Sequence, residues 1–157
     1  MAEYAFNYDL AQEGQIADSS TRRIDSDRID LGLVPELAFG IAVTRHDAVS
    51  RGLVPWTTSA ISTGYDGSVF GITVFDPTQV VGKYEGAMAV SVLTMGRIYV
   101  LTQNGVSKGD PAYVTEGSGL FTNLASGNTK IGVWMSDTGA ITSPTLAVLS
   151  FNLEASK

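Results

Sequence analysis

The sequence predicts an all-β protein, a compact small β-barrel or sandwich with an extended N-terminal arm, and three observations carry that prediction. Val is the commonest large apolar residue, with 15 copies against 12 Leu and 9 Ile, a balance that favours strands. After Leu37, short apolar runs recur between turn signals built from Gly, Pro, Asn and Asp. No stretch sustains apolar residues at helical spacing for three full turns, although Ile16 to Ile29 has room for a short helix. A chain of 157 residues fits one domain.

Charge divides the chain. Residues 1–36 hold eight acids and three arginines, for a net of −5, whereas residues 37–157 hold eight acids and seven bases, for a net of −1. Hydropathy shifts at the same place, so residues 1–36 are expected to form a polar N-terminal arm and residues 37–157 a single β domain. Within the arm, Tyr4, Phe6 and Tyr8 recur with period two, which on an extended strand sends all three rings to one face. A polar arm keeps such a face only if something covers it. The cover is either the parent domain or another subunit reached by strand addition.

The strands follow in order. Ala38 to Val43 is the first, and Val69 to Val74 the second, ended by Asp76-Pro77. Ala87 to Leu93 and Gly96 to Thr102 form a pair joined by Thr94-Met95. Asn104-Gly105 is the strongest hairpin turn signal, because both residues tolerate positive φ. Lys108-Gly109-Asp110-Pro111 turns into Ala112-Tyr113-Val114, and Glu116 to Gly119 turns into Leu120-Phe121-Thr122. Lys130 to Met135 and Thr145 to Phe151 complete the set. Gly40, Gly71, Gly96 and Gly132 interrupt apolar strand patterns, as a bulge, a barrel corner or a close backbone approach requires.

Several chemistries are excluded. The chain has no Cys and one His, so disulfides, thiolate sites and paired-histidine metal sites are absent. That one histidine, His46, precedes Asp47 on an extended segment where neighbours point apart, which favours a solvated loop residue over a general base. Asp25, Asp27 and Asp30 lack the glycine and distal glutamate of a calcium loop. No phosphate-binding glycine pattern occurs, and no catalytic residue, metal or cofactor is expected. A net charge of −6 without a basic stripe argues against nucleic acid, and no apolar window is long enough to span a membrane. The opening Met-Ala-Glu-Tyr-Ala-Phe lacks the basic start of a signal peptide, so a soluble protein made in a cytoplasm is expected. Trp56, Tyr65, Tyr99 and Trp134 offer either a sugar-stacking platform or core residues.

Gly14 to Ser19 and Arg23 to Ser26, followed by Phe39 to Val43, Ala89 to Leu93 and Gly96 to Val100, resemble segments of the tailed-phage capsid cement, or decoration, proteins. The similarity is densest at Val106 to Val114 and continues at Ser118 to Thr122. The segment from Trp56 to Tyr84 carries no pattern of that family. The resemblance implies a non-enzymatic virion protein that binds the outside of the head shell, assembled in the host cytoplasm. It also implies bridging of neighbouring major capsid protein subunits, homo-oligomers with trimers favoured over dimers, and a fold similar to the β-clip-like fold. Tyr4, Phe6 and Tyr8 are then the expected anchors, because aromatic residues dominate interface energetics. Arg22, Arg23 and Arg28 are expected to bond capsid carboxylates, or equally the arm's own Asp25, Asp27 and Asp30. The alternative is a carbohydrate-binding or host-adhesion module of a virion surface.

Overall fold

The computed structural model describes residues 11–45, 52–56, 69–79, 81–115 and 120–152. Eleven strands occur among them: β1 (Arg23–Arg28), β2 (Glu36–Ala38), β3 (Ala42–Arg45), β4 (Leu53–Pro55), β5 (Gly71–Thr73), β6 (Lys83–Glu85), β7 (Ala89–Thr102), β8 (Pro111–Thr115), β9 (Phe121–Thr122), β10 (Asn128–Trp134) and β11 (Thr145–Asn152). The described residues contain no helix. The all-β expectation is met.

Five strands close a barrel. β7 pairs antiparallel with β11, β11 with β10, β10 with β8 and β8 with β9, and β9 returns to β7 through a parallel contact at Thr102 and Phe121. Closure leaves these strands no free edge in that circuit. Alternation drives it: Ile98, Val100, Ala112, Val114, Ile131, Ala147, Leu149 and Phe151 all point inward and share one core with Trp56, Phe121 and Trp134.

The same β7 serves a second core. Its first half pairs with β1 and with β5, and β3 and β4 follow β5 in the sheet. Beside these lie the two-stranded ribbon β2–β6 and a core of Ile29, Leu37, Phe39, Val43, Leu53, Tyr84, Val90 and Val92. Val92 and Leu93 are adjacent and both fully buried because successive side chains point to opposite faces, one into each core. Phe39 meets Phe75 and Tyr84 edge-on, with centroids 5.3 and 5.1 Å apart.

Four sequence expectations need correction. The pair Ala87 to Leu93 and Gly96 to Thr102 is not a hairpin but one 14-residue strand. Arg23 stands opposite Met95 and Ile24 opposite Leu93, so Thr94 is an extra residue, a bulge that shifts the register of β7 without reversing it. Asn104-Gly105 does not join paired neighbours, since β7 pairs with β11 and β9, not β8. A Cβ on Gly105 would lie 2.3 Å from Gly139 O, so this glycine serves close packing. The span Ile16 to Ile29 is extended: Ile16 bridges Ile98, and β1 follows. The run Ala38 to Val43 is split between β2 and β3 by a bend at Gly40.

The interrupting glycines do mark close approaches. A Cβ on Gly132 would sit 2.0 Å from Ser150 O, and one on Gly71 would sit 2.5 Å from Leu93 O. The β10 register shifts between Lys130 and Gly132.

Of residues 1–36, those from 11 onward are described. Gly14 N donates to Tyr99 O at 2.8 Å, Tyr99 N donates to Gln15 O at 2.9 Å and Ala17 N donates to Arg97 O at 2.9 Å. The chain then enters β1 on the other half of β7. The polar composition of this stretch is compatible with strand because its backbone pairs with β7, most of its side chains are exposed and Asp27, the most covered, has Arg45 beside it.

Candidate partner-binding surface

β1 places two of the three expected arginines. Arg23 pairs in register with Met95 and Arg28 with Ala89, so the strand holds them at opposite ends, roughly 17 Å apart at ~3.4 Å per residue. Arg22, just before the strand, packs its Cβ against Gly96. The three guanidinium groups therefore line one strand and do not converge on one point. All three residues are exposed.

Their aspartate neighbours behave differently. Arg23 Nε lies 3.6 Å from Asp25 Oδ2, a loose pair within the strand. Asp27 instead pairs with Arg45 of β3, Nε to Oδ2 at 2.8 Å. Asp30 Oδ1 accepts from Gly32 N at 3.1 Å and so fixes a turn. The arginine pairing expected with Asp25 is present, and Asp27 finds a partner the sequence did not indicate.

Arg45 is the residue that sequence reasoning missed. Its guanidinium lies 5.1 Å from the Phe70 ring centroid, and Arg23, Asp25, Ser26, Arg45 and Phe70 line a groove along β1. Nothing local in the sequence links residues 27, 45 and 70; the sheet brings them together. Further along β7, Arg97 Nη1 donates to Asp18 Oδ2 at 2.8 Å. Bonds from Ser20 and from Arg97 pull the Asp18 carboxyl down to about 2.

Tyr4, Phe6, Tyr8, His46 and Tyr65 lie outside the described residues. Trp56 and Trp134 are buried in the barrel core, so the proposed stacking platform does not form from them. Among the described residues no three metal-ligating side chains gather. The groove on β1, the one beside Ile29 and the one beside Phe39 each contain a single carboxylate, from Asp25, Asp30 and Glu13 respectively.

The described residues thus form a closed barrel with β1 laid along the first half of β7, an all-β fold with Arg22, Arg23 and Arg28 exposed. The family model described as "Structural cement protein (E217 gp24/Pam3 gp6)" matches residues 2–152, and the chain belongs to this family of phage structural cement proteins. No curated protein matches the sequence. Membership carries a structural, capsid-stabilising role as part of a phage virion.

Proposed function

We propose that this protein binds the outer surface of the head shell without catalysis or cofactor, bridges neighbouring major capsid protein subunits and holds the shell against internal DNA pressure. The observation that carries this reading is the family match across residues 2–152. Net charge of −6 suits a position facing away from the packaged genome. Tyr4, Phe6 and Tyr8 act as anchors on a neighbouring subunit, and Arg22, Arg23 and Arg28, on and beside β1, bond its carboxylates. A standard interface buries about 1,600 Å², and a homo-oligomer, trimer before dimer, multiplies it by touching several shell subunits together. Assembly takes place in the host cytoplasm and the protein remains on the outer capsid surface.

The test is cryo-electron microscopy of shells lacking this protein, after addition of the purified chain. Ordered density bridging two or more shell subunits is expected. The Tyr4→Ala, Phe6→Ala, Tyr8→Ala triple variant is expected to remain folded and to lose stable occupancy. Full occupancy by that variant removes the role given to the rings, and bare shells with the natural chain remove the cement reading itself.

A further inference from the structure

Residues 11–13 form part of the wall of a groove between the two cores. Ala11, Phe39, Phe75, Leu101 and Leu146 give it apolar sides, Gln12 and Glu13 give it a polar one, and its volume is about 440 Å³. Leu101 and Leu146 stand opposite one another on β7 and β11. Their neighbours Val100 and Ala147 fill the barrel, so these two leucines lie on its outer face. Phe75, Leu101 and Leu146 are only half-buried.

The path of the chain brings a ring to this groove. Gln15 N donates to Gln12 O at 3.0 Å and closes a turn. That turn is pinned on both sides, by Gly14 N donating to Tyr99 O at 2.8 Å and Phe75 N donating to Gly14 O at 2.7 Å. Ala11 is thereby fixed at the groove, and with it the point from which residues 1–10 depart. Tyr8 stands three positions before Ala11. Its Cα therefore lies within about 11 Å of the Ala11 Cα, whatever the conformation between them.

Connectivity selects the occupant. A short tether holds Tyr8 near the groove at an effective concentration in the millimolar range, roughly a thousandfold above that of a second copy or a shell subunit in a micromolar solution. The chemistry matches as well. Tyrosine has an apolar body and a polar tip, and the groove sets apolar walls beside the polar atoms of Gln12 and Glu13. Phe39 and Phe75 already meet edge-on, and a third ring extends that cluster.

We propose that in the free protein Tyr8 seats its ring in the groove of its own chain, against Phe75, Leu101 and Leu146. In the function proposed above the same ring anchors the chain to a neighbouring subunit. Shell binding then begins by withdrawing Tyr8 from its own groove. The seat itself belongs to the unassembled chain and does not depend on the cement reading.

The test is NMR spectroscopy of the free natural chain with labelled leucine methyl groups. Cross-relaxation between the Tyr8 ring and the Leu101 and Leu146 methyls is expected. Tyr8→Ala is expected to abolish it and to remove the ring-current shift of those methyls, with the remaining spectrum unchanged. Absence of the contact in the natural chain overturns the inference. A contact found only between differently labelled chains in a mixed sample assigns the groove to a second copy, and that also overturns it. No shell is present in this experiment, so its failure leaves the cement reading standing, and bare shells in the earlier test leave this contact standing.

Discussion

Arg45 Nε lies 2.8 Å from Asp27 Oδ2 and ties the end of β3 to β1, near the Ile29–Leu53 bridge. The two partners are unequally wet: the Asp27 side chain is 11% exposed and that of Arg45 is 48% exposed. Removing each therefore has a different cost. Arg45→Ala strands a nearly buried carboxylate and is expected to cost ~1–3 kcal/mol, while Asp27→Ala frees a guanidinium that water readily solvates and costs less. Urea denaturation of both variants checks the asymmetry; equal losses would show that the pair is not desolvated as the geometry indicates.

Gly132 permits no side chain. With Ser150 O only 2.0 Å from its ideal Cβ position, Gly132→Ala must push β10 away from β11, and a loss of more than ~3 kcal/mol or failure to fold is expected. Gly109 offers the contrast, with φ at 96° and open space around it, so Gly109→Ala is limited to backbone strain of about 1–2 kcal/mol. Thermal melts of the two variants should separate clearly.

Thr73 pins the bend between β2 and β3. Its fully buried hydroxyl donates to Ala38 O at 2.7 Å and accepts from Ile41 N at 3.1 Å. Thr73→Val keeps the shape and deletes both bonds, leaving Ala38 O and the Ile41 N–H without the hydroxyl. A loss of ~1–3 kcal/mol is expected by chemical denaturation. Thr73→Ser, which retains the hydroxyl, is expected to lose less.

Two carboxylates give opposite responses to acid. Burial raises the Glu13 pKa above 4.5, so the folded state binds the proton more tightly than the unfolded chain. Its penalty is absent below 4.5 and grows as pH rises through the folded value. Glu13→Gln is therefore expected to raise the melting temperature at pH 7 and to give little gain at pH 4. Asp18, held at about 2 by Ser20 and Arg97, contributes stability above its ordinary 3.8 that fades as pH falls towards 2. Asp18→Asn should flatten the acid limb of the stability curve, measured by melts from pH 2 to pH 5.

The barrel strands were legible in the sequence where a short apolar run is bounded by turn residues. Thr145 to Phe151 and Ala112 to Val114 read as short apolar runs bounded by turn signals, and both lie in strands whose burial alternates. Thr94-Met95 misled because two strands with different inward phases looked like two elements. Residues 90 and 92 face one core while 93, 98 and 100 face the other, and the bulge at Thr94 absorbs the change of phase within a single strand. β1 gave no signal at all, since Arg-Ile-Asp-Ser-Asp-Arg has no apolar alternation and its pairing comes from the β7 edge. At the candidate surface, Arg23 and Asp25 could be paired by eye because they are two residues apart. Asp27, Arg45 and Phe70 are assembled by long-range pairing, and no spacing rule reaches across those distances.

β7 runs through both cores as one uninterrupted backbone of 14 residues. A pull that separates the two ends of the molecule is thus borne along covalent bonds, with flanking strands β1, β5 and β11 loaded in shear across many hydrogen bonds at once. Unzipping would break those bonds one by one; shear requires them to fail together. The strand is a tie rod, and its resistance to tension does not depend on any surface between the two cores.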